Sequence, residues 1–233
     1  FVISDGKNVL PLSPAQDFKR IFDNDEGPNT GGMGAYTPLD WLPEGFVDEV
    51  IEKIARPTIT RMAERGTPFV GVLFCGLAVT SRGVRVIEFN ARFGDPETQV
   101  VLPRMRGDLV ECLLACDGAT LDPAMVSWAD DWAVSVVLTS AGYPGHYERG
   151  KVICGIDDAN AMEGVIVYHA GTTLDDGGRV LTAGGRVLDV TAVAATFEDA
   201  RNRAYEACDR ISFEGKTYRH DIGIKAIRGR DRL

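Results

Sequence analysis

The sequence predicts an α+β fold in which antiparallel strands pack with helices, followed by a small β-rich, barrel-like part with one long helix. A long apolar run over residues 69–80, a turn at 81–83 and a second run from Val84 form the pattern of an antiparallel strand pair. Apolar residues at helical spacing between 46 and 65 indicate an amphipathic helix. Beyond residue 131, short apolar runs alternate with Gly-rich turns, which is typical of several short strands.

A composition break over residues 118–131 suggests a domain boundary, so we expect one domain at 1–120 and a second at 121–233. In the second, Thr196 is the expected N-cap of a helix that extends to Ile211. The apolar period predicts that the side chains facing the core are Phe197, Ala200, Ala204, Ala207 and Cys208. The expected strands of this part are 133–139, 165–170, 180–182 and 186–193.

Local signals organise the first part of the chain. Two apolar runs around Asp5-Gly6-Lys7-Asn8 predict a hairpin. Pro57 should kink or restart the helix of residues 46–65, because proline cannot donate a backbone hydrogen bond. Asp108 is the expected N-cap of a helix over 109–116. Residues 13–38 show no clear period.

Composition excludes several classes of protein. The 233 residues carry a net charge of −9, which argues against a general nucleic-acid or anionic-membrane surface. The five cysteines are scattered and form no CxxC pair, so we expect reduced thiols, a cytoplasmic location and no zinc site. No apolar run is long enough to span a bilayer. The chain starts inside an apolar stretch without Met, so we expect it to be an internal portion of a longer protein.

The segment from Glu88 to Arg92 carries polar side chains at every second residue. It follows the apolar run 84–87, which we interpret as a buried strand. Alternate strand residues share a face, so Glu88, Asn90 and Arg92 are expected together. Glu88 and Asn90 can supply oxygen ligands to a hard cation such as Mg²⁺, and Arg92 can meet phosphate charge. A solvated sheet edge explains the alternation equally well.

The segment Gly27-Pro-Asn-Thr-Gly-Gly-Met-Gly-Ala-Tyr36 has four glycines in ten residues. Such a backbone can approach a ligand closely and can turn successive amides towards an anion. The segment matches neither the P-loop nor the dinucleotide-binding pattern. An ordinary tight surface turn is the alternative.

Asp95-Pro96-Glu97 has the composition of a helix start. Asp is a good N-cap, Pro is favoured at the first helical position, and Glu suits the first turn. Asp95 is therefore either a helix cap or a ligand-binding carboxylate.

The string Arg92-Phe-Gly-Asp-Pro-Glu-Thr-Gln99, together with the glycine-rich segment, resembles the phosphoribosylamine–glycine ligase (glycinamide ribonucleotide synthetase) family of the ATP-grasp superfamily. Glu88-x-Asn90-x-Arg92 alone is similar to the metal-binding strand of ATP-grasp ligases more widely. The chain looks like the family's C-terminal portion, half an ATP-grasp domain followed by a small β-rich domain. Further similar segments are Ser13–Arg20, His169–Thr172, Gly184–Val187 and Arg219–Gly223.

The resemblance implies an ATP-dependent ligase of purine biosynthesis that joins 5-phosphoribosylamine to glycine through glycyl phosphate. It implies ATP and Mg²⁺, or Mn²⁺, as cofactors, with Glu88 and Asn90 as metal and nucleotide ligands. Arg92 would stabilise the transferring phosphoryl group or the acyl phosphate, and Asp95 would meet the amine-bearing substrate. The residues implied to bind anionic substrate groups are Asn29, Thr30, Gly31, Gly32 and Gly34.

Two departures from the family pattern affect these expectations. Many ATP-grasp enzymes carry another metal carboxylate on the preceding strand, but Phe74-Cys-Gly-Leu-Ala78 has no acid. The family's N-terminal region would precede residue 1, so it is the expected partner, and the isolated chain is expected to be inactive. Another ATP-grasp carboxylate–amine ligase, a carboxylase and a non-catalytic scaffold fragment remain alternatives.

Overall fold

The computed structural model describes residues 1–118 and 120–224. In chain order, the described strands are β1 (Val2–Asp5), β2 (Val9–Pro11), β3 (Gln16–Asp17), β4 (Arg20–Phe22), β5 (Glu26–Asn29), β6 (Gly34–Thr37), β7 (Val70–Thr80), β8 (Gly83–Asn90), β9 (Met105–Arg106), β10 (Ser127–Trp128), β11 (Trp132–Ser140), β12 (Val165–His169), β13 (Thr172–Leu174), β14 (Val180–Thr182), β15 (Arg186–Ala194) and β16 (Lys216–Thr217). The described α-helices are α1 (Phe46–Val50), α2 (Arg56–Glu64), α3 (Thr98–Val101), α4 (Leu109–Ala115), α5 (Ile156–Asn160) and α6 (Phe197–Arg210). None of these helices is both long and apolar enough to cross a membrane.

The chain forms two compact units and passes between them several times. The first unit comprises Phe1–Pro14, Leu42–Gly94 and Met105–Ala129. The second comprises Ala15–Trp41, Asp95–Arg104 and the described residues 130–224. These units are not sequential segments, and the domain boundary at residue 120 stays a prediction.

The first unit is built on an antiparallel sheet with the strand order β2-β1-β7-β8. Both predicted hairpins are confirmed. In the first turn, Asp5 Oδ1 accepts hydrogen bonds from the amides of Lys7 at 2.9 Å and Asn8 at 2.6 Å. The core of this unit consists of apolar residues from the sheet and from the helical segment 46–64, namely Val2, Val9, Ile51, Ala55, Ile59 and Leu73.

The predicted change in the helix near Pro57 is observed as a change of helix type, not as a break. A π-helical segment, Ile51–Ala55, separates α1 from α2 immediately before the proline. Thr58 Oγ1 donates to the Ile54 carbonyl at 2.7 Å. The wider turn accommodates the proline ring, so the helix continues through the proline instead of ending there.

The prediction that residues 84–87 form a buried strand is only half right. They lie in β8, but Val86 is 41% exposed and Ile87 is 70% exposed. β8 is the last strand in its sheet, next to β7. An apolar run predicts a strand but does not reveal whether another element covers it.

The second unit contains an antiparallel sheet with the order β12-β15-β11-β6-β3, and β16 pairs with β11. Its strand order is open, and the described strands form no closed barrel. Helix α6 packs on this sheet, and Thr196 caps it by accepting from the amide of Asp199 at 3.1 Å. The helix buries the predicted side chains, Phe197, Ala200, Ala204, Ala207 and Cys208.

The sequence did not predict strands β3 to β6, which lie in the region without a clear period. β6 is buried along its whole length and pairs with β11 and β3. These strands have two to four residues each, which is too short for a recognisable period. Tertiary pairing with a distant strand, not local propensity, gives this segment its structure.

A buried arginine fixes the turn between β4 and β5. The Arg219 side chain has no exposed surface and binds both carboxylate oxygens of Asp221, at 2.7 and 2.8 Å. Its Nη1 also donates to the Arg20 carbonyl and to Asp25, both at 3.0 Å. These bonds anchor the turn that leads into the glycine-rich segment.

Candidate functional site

In the first unit, the structure brings Glu88 and Asn90 together. Asn90 Nδ2 donates to Glu88 Oε1 at 3.0 Å, so the two side chains share a face as predicted. A bulge precedes them, because Glu88 pairs with Gly76 whereas Val86 pairs with the next residue of β7. Arg92 lies beyond the end of β8, and its Nη1 donates to the Phe93 carbonyl at 2.9 Å. Its predicted position on the strand face is therefore wrong.

The pair Glu88 and Asn90 fits part of a magnesium site. Both side chains carry oxygen atoms, and Glu88 is exposed. Gly76 leaves room for Glu88, since a Cβ added there would lie 3.1 Å from Glu88 Cγ. Among the described residues, no group of three or more His, Cys, Asp or Glu is arranged to hold a metal. The two residues could therefore supply only part of a coordination shell, with water and phosphate oxygens completing it.

The glycine-rich segment belongs to the second unit, where its amides are already paired. The expected nest of amides free to bind an anion is therefore not observed. Of the predicted residues, Asn29 and Gly31 are exposed, whereas Gly34 is buried in β6. The backbone amide of Thr30 donates to the Lys19 carbonyl at 2.7 Å, and that of Met33 donates to the Phe18 carbonyl at 2.8 Å. The amide of Gly31 donates to the Tyr143 hydroxyl and that of Gly32 donates to Thr30 Oγ1, both at 3.0 Å. The close approach expected of glycine serves packing within this unit.

Asp95 is not a helix cap. Helix α3 begins at Thr98, and the Asp95 carboxylate binds side chains instead. Arg186 Nη2 donates to Asp95 Oδ2 at 3.0 Å, and Gln99 Nε2 donates to Oδ1 at 2.9 Å. Arg186 Nη1 also donates to the Asp95 carbonyl at 2.9 Å. Charge-assisted bonds of this kind are stronger than a bond to a neutral amide.

Arg186 also lies against the glycine-rich segment. A Cβ added to Gly31 would lie 2.9 Å from Arg186 Cζ, and one added to Gly32 would collide with the Pro96 ring. Real Cβ atoms do not approach other atoms so closely. Gly32 is therefore required by the contact with Pro96, and a side chain on Gly31 would have to displace the Arg186 guanidinium.

A second bulge aims Arg186 at Asp95. Leu188 pairs with Leu138 and Arg186 pairs with Thr139, so Val187 is the extra residue. Simple alternation would place Arg186 and Asp189 on opposite faces of β15. The bulge turns Arg186 to the face of Asp189. Arg186 donates to Asp95, and Asp189 accepts from Gln99, which also donates to Asp95.

Asp189 is a buried acid beneath Asp95. Its side chain is only 1% exposed, and its Oδ2 accepts from Gln99 Nε2 at 2.6 Å. Burial, followed by the negative charge of Asp95, raises the pKa of Asp189 to about 7. At neutral pH, this carboxyl is therefore only partly ionised.

A second buried acid, Glu97, lies beside Lys19 and Asp17. Lys19 Nζ forms an ion pair with Asp17 and lies 3.7 Å from Glu97 Oε1. Burial and then the charge of Asp17 raise the pKa of Glu97 to about 7. Burial alone would lower the pKa of Lys19, but the two carboxylates outweigh it and raise that pKa. Asp95 with Asp189, and Asp17 with Glu97, are therefore acid pairs that each have one cation beside them, Arg186 and Lys19 respectively.

Sequence patterns identified Asp95 but not its partners. Residues far apart in sequence assemble this group, which no local period can predict. The family-like segments quoted above contain Asp17, Lys19, Glu97, Gln99 and Arg186, which is the signal that could have found them. Asp189 and Tyr143 lie outside those segments.

Two family models match the sequence. The model of the phosphoribosylglycinamide synthetase ATP-grasp (A) domain matches residues 1–98, and that of the phosphoribosylglycinamide synthetase C domain matches residues 133–225. Both describe one family, and together they cover most of the chain in the expected order.

This chain belongs to the phosphoribosylglycinamide synthetase family.

Named relatives match this chain over nearly all of its residues. A protein of Leifsonia xyli named phosphoribosylamine–glycine ligase is 54% identical over 97% of this chain. The match covers 55% of that relative, so the chain spans about half the length of the proteins it resembles. The predicted family, and its C-terminal portion, are thus confirmed.

Solved structures confirm the ATP-grasp fold of this chain. The phosphoribosylamine–glycine ligase of Thermotoga maritima matches with a TM-score of 0.83 and 35% identity, over 95% of this chain and 54% of that one. Biotin carboxylase of Campylobacter jejuni matches with a TM-score of 0.63 and 15% identity, over 93% of this chain and 45% of that one. The second likeness shows a shared fold alone.

Proposed function

We propose that the complete polypeptide containing this chain joins 5-phosphoribosylamine to glycine, with conversion of ATP to ADP and phosphate, in purine biosynthesis. The observation that carries this proposal is the 54% identity, over 97% of the chain, to a protein bearing that ligase name. A carboxylase shares the fold at only 15% identity, which gives that alternative no specific support.

The proposed reaction has two steps. A carboxylate oxygen of glycine attacks the γ-phosphorus of ATP, so that ADP leaves and glycyl phosphate forms. The amine of phosphoribosylamine then attacks the glycyl carbonyl carbon, forming a C–N bond as the C–O bond to phosphate breaks. The attacking nitrogen loses a proton. Phosphoryl transfer depends mainly on positioning and charge neutralisation.

Glu88 and Asn90 are the proposed ligands of Mg²⁺ or Mn²⁺ and of the ATP phosphates it accompanies. When bound, the metal supplies positive charge that offsets the charge of the phosphate oxygens. The hydrogen bond from Asn90 Nδ2 to Glu88 Oε1, which holds the two oxygen-bearing side chains together, supports this role. Arg92 is proposed to stabilise the transferring phosphoryl group. Its side chain is exposed, and among the residues that the structure describes it donates to the neighbouring Phe93 carbonyl, so it can reorient towards a phosphoryl group.

Asp95 is the proposed contact for the amine-bearing substrate, and the glycine-rich segment for its anionic groups. Asp95 is 43% exposed although three donated hydrogen bonds reach the residue, so a ligand can still approach its carboxylate. Because the amides of the segment are paired within the unit, side chains are the proposed means of binding. Asn29 and Thr30 would contribute side chains, while Gly31, Gly32 and Gly34 allow the close packing.

The N-terminal region of the same polypeptide is the proposed partner of this chain. The matched relatives are about twice as long, and the exposed apolar residues of β8 suit a surface that such a region covers. We therefore expect the isolated 233 residues to bind ATP poorly and not to turn over. The five unpaired cysteines suit a reducing, cytoplasmic location.

The test measures ADP release by the complete polypeptide with glycine and phosphoribosylamine, with each alone, and with bicarbonate and biotin instead. We expect rapid ADP release only when both amine and amino acid are present. Release that needs bicarbonate, or no release under any condition, would contradict the proposal. Glycine-dependent ADP release by the isolated chain would contradict its expected inactivity.

A further inference from the structure

Each oxygen of the Asp95 carboxylate accepts one side-chain hydrogen bond and can accept another. Gln99 donates to Oδ1 and Arg186 donates to Oδ2, at 2.9 and 3.0 Å. Each carboxylate oxygen can accept a second hydrogen bond. Because the side chain is 43% exposed, those remaining acceptor positions can receive an N–H group from a ligand.

The residues behind Asp95 have an arrangement that costs stability. Gln99 Nε2 donates to both Asp95 and Asp189, so one amide bridges two acids. Gln99 Oε1 and Asp189 Oδ1 are buried and have no hydrogen-bond partner among the described residues. A purely structural contact would be more stable with apolar side chains in these places. Unfavourable buried polar groups of this kind concentrate at functional sites.

The bulge at Val187 supports the same conclusion. It interrupts the regular pairing of β15 with β11 and turns Arg186 towards Asp95. Arg186 then binds both the carbonyl and the carboxylate of Asp95, so it fixes the backbone and the side chain together. Its planar, rigid fork suits this double contact better than a lysine would.

We propose that Gln99, Arg186 and Asp189 are positioning residues that hold the Asp95 carboxylate in one orientation for the amine-bearing substrate. This inference rests on the proposed function, since it assigns partners to a residue already given that substrate. The three residues act through Asp95 and do not themselves touch the substrate.

The test uses the complete polypeptide and the variant Gln99→Met, which keeps the side-chain length but cannot donate. We expect kcat/KM for phosphoribosylamine to fall about 10- to 100-fold, as when supporting residues of a site are lost. The KM values for glycine and ATP should stay nearly unchanged. Gln16→Met is the matched control, since it removes one side-chain hydrogen bond, to Tyr36, in the same unit.

A double-mutant cycle separates positioning from general stability. In an Asp95→Ala background, Gln99→Met should have little further effect, because its target is gone. Where turnover is too low, the dissociation constant for the product glycinamide ribonucleotide gives the same cycle. Asp189→Asn, which keeps an acceptor for Gln99, should retain more activity than Asp189→Ala.

The outcomes are distinguishable. A wild-type polypeptide without glycine- and amine-dependent ADP release refutes the proposed function itself. An active wild type with an unaffected Gln99→Met variant refutes only the positioning role. Equal losses in the wild-type and Asp95→Ala backgrounds, or an equal rise in the KM for glycine, would also overturn it.

Discussion

Arg186 donates one hydrogen bond to the backbone carbonyl of Asp95, at 2.9 Å, and another to its carboxylate, at 3.0 Å. These residues lie 91 positions apart in the sequence. The contact joins strand β15 to the segment before α3 inside the second unit. The guanidinium of Arg186 also occupies the space where a side chain on Gly31 would lie.

The first prediction concerns Gly31→Ala in the complete polypeptide. Gly31 has no left-handed backbone angle, so the guanidinium of Arg186 is the main obstacle to a methyl group. Displacement of Arg186 should lower kcat/KM for phosphoribosylamine about 10- to 100-fold. In an Arg186→Ala background, Gly31→Ala should lower kcat/KM for phosphoribosylamine little further. Gly177→Ala, whose added Cβ meets only an ordinary contact at 3.4 Å, is the control.

A second prediction concerns Gly76→Ala. The added Cβ would lie 3.0 Å from Phe74 Cε1 and 3.1 Å from Glu88 Cγ, so it should push the carboxylate away from Asn90. The Mg²⁺ concentration needed for half-maximal activity should therefore rise several-fold. Ala78→Ser, on the same strand opposite Arg85, is the control. An unchanged Mg²⁺ requirement would remove this support for the metal assignment.

The third prediction concerns the buried charge of Arg219. Its removal leaves Asp221 without its two-point partner, so Arg219→Ala should destabilise the second unit by about 3 to 5 kcal/mol. Arg219→Lys should recover only part of this, because lysine lacks the fork. Arg149→Ala, at an exposed position, should change stability by less than about 0.5 kcal/mol. Denaturant unfolding measures all three.

A fourth prediction follows from the raised pKa values of Asp189 and Glu97, both about 7. Their ordinary values are 3.8 and 4.5, so the folded state holds these protons more tightly than the unfolded state does. Stability should therefore fall as pH rises through the interval between the ordinary values and about 7, and level off above it. Glu97→Gln and Asp189→Asn should each flatten this fall in thermal unfolding midpoints. An equally steep fall in both variants would contradict the assignment.

The sequence predicted best what depends on local signals. Helix α6 follows from its cap, Thr196, and from an apolar period that selects the side chains it buries. The hairpins follow from turn residues between apolar runs. These signals need only neighbouring residues, so tertiary context did not override them.

The sequence predicted least well what depends on distant partners. The short strands around the glycine-rich segment exist because β11 pairs with β6, and the burial of β8 cannot be read from its own residues. At the candidate site, bulges at Ile87 and Val187 break the alternation on which face predictions depend. The sequence predicted Asp95 as a helix cap or a ligand-binding carboxylate. The structure excludes the cap and shows Asp95 bound to Arg186 and Gln99, while its contact with a ligand stays a prediction.

The most direct test of the proposed function compares ADP formation by the complete wild-type polypeptide and its Glu88→Ala variant, with glycine and phosphoribosylamine present. Glu88 is exposed, so its removal should leave the thermal unfolding midpoint unchanged. If Glu88 holds the metal that accompanies ATP, ADP formation should fall by about 100-fold or more. Wild-type turnover in a folded Glu88→Ala variant would contradict the account.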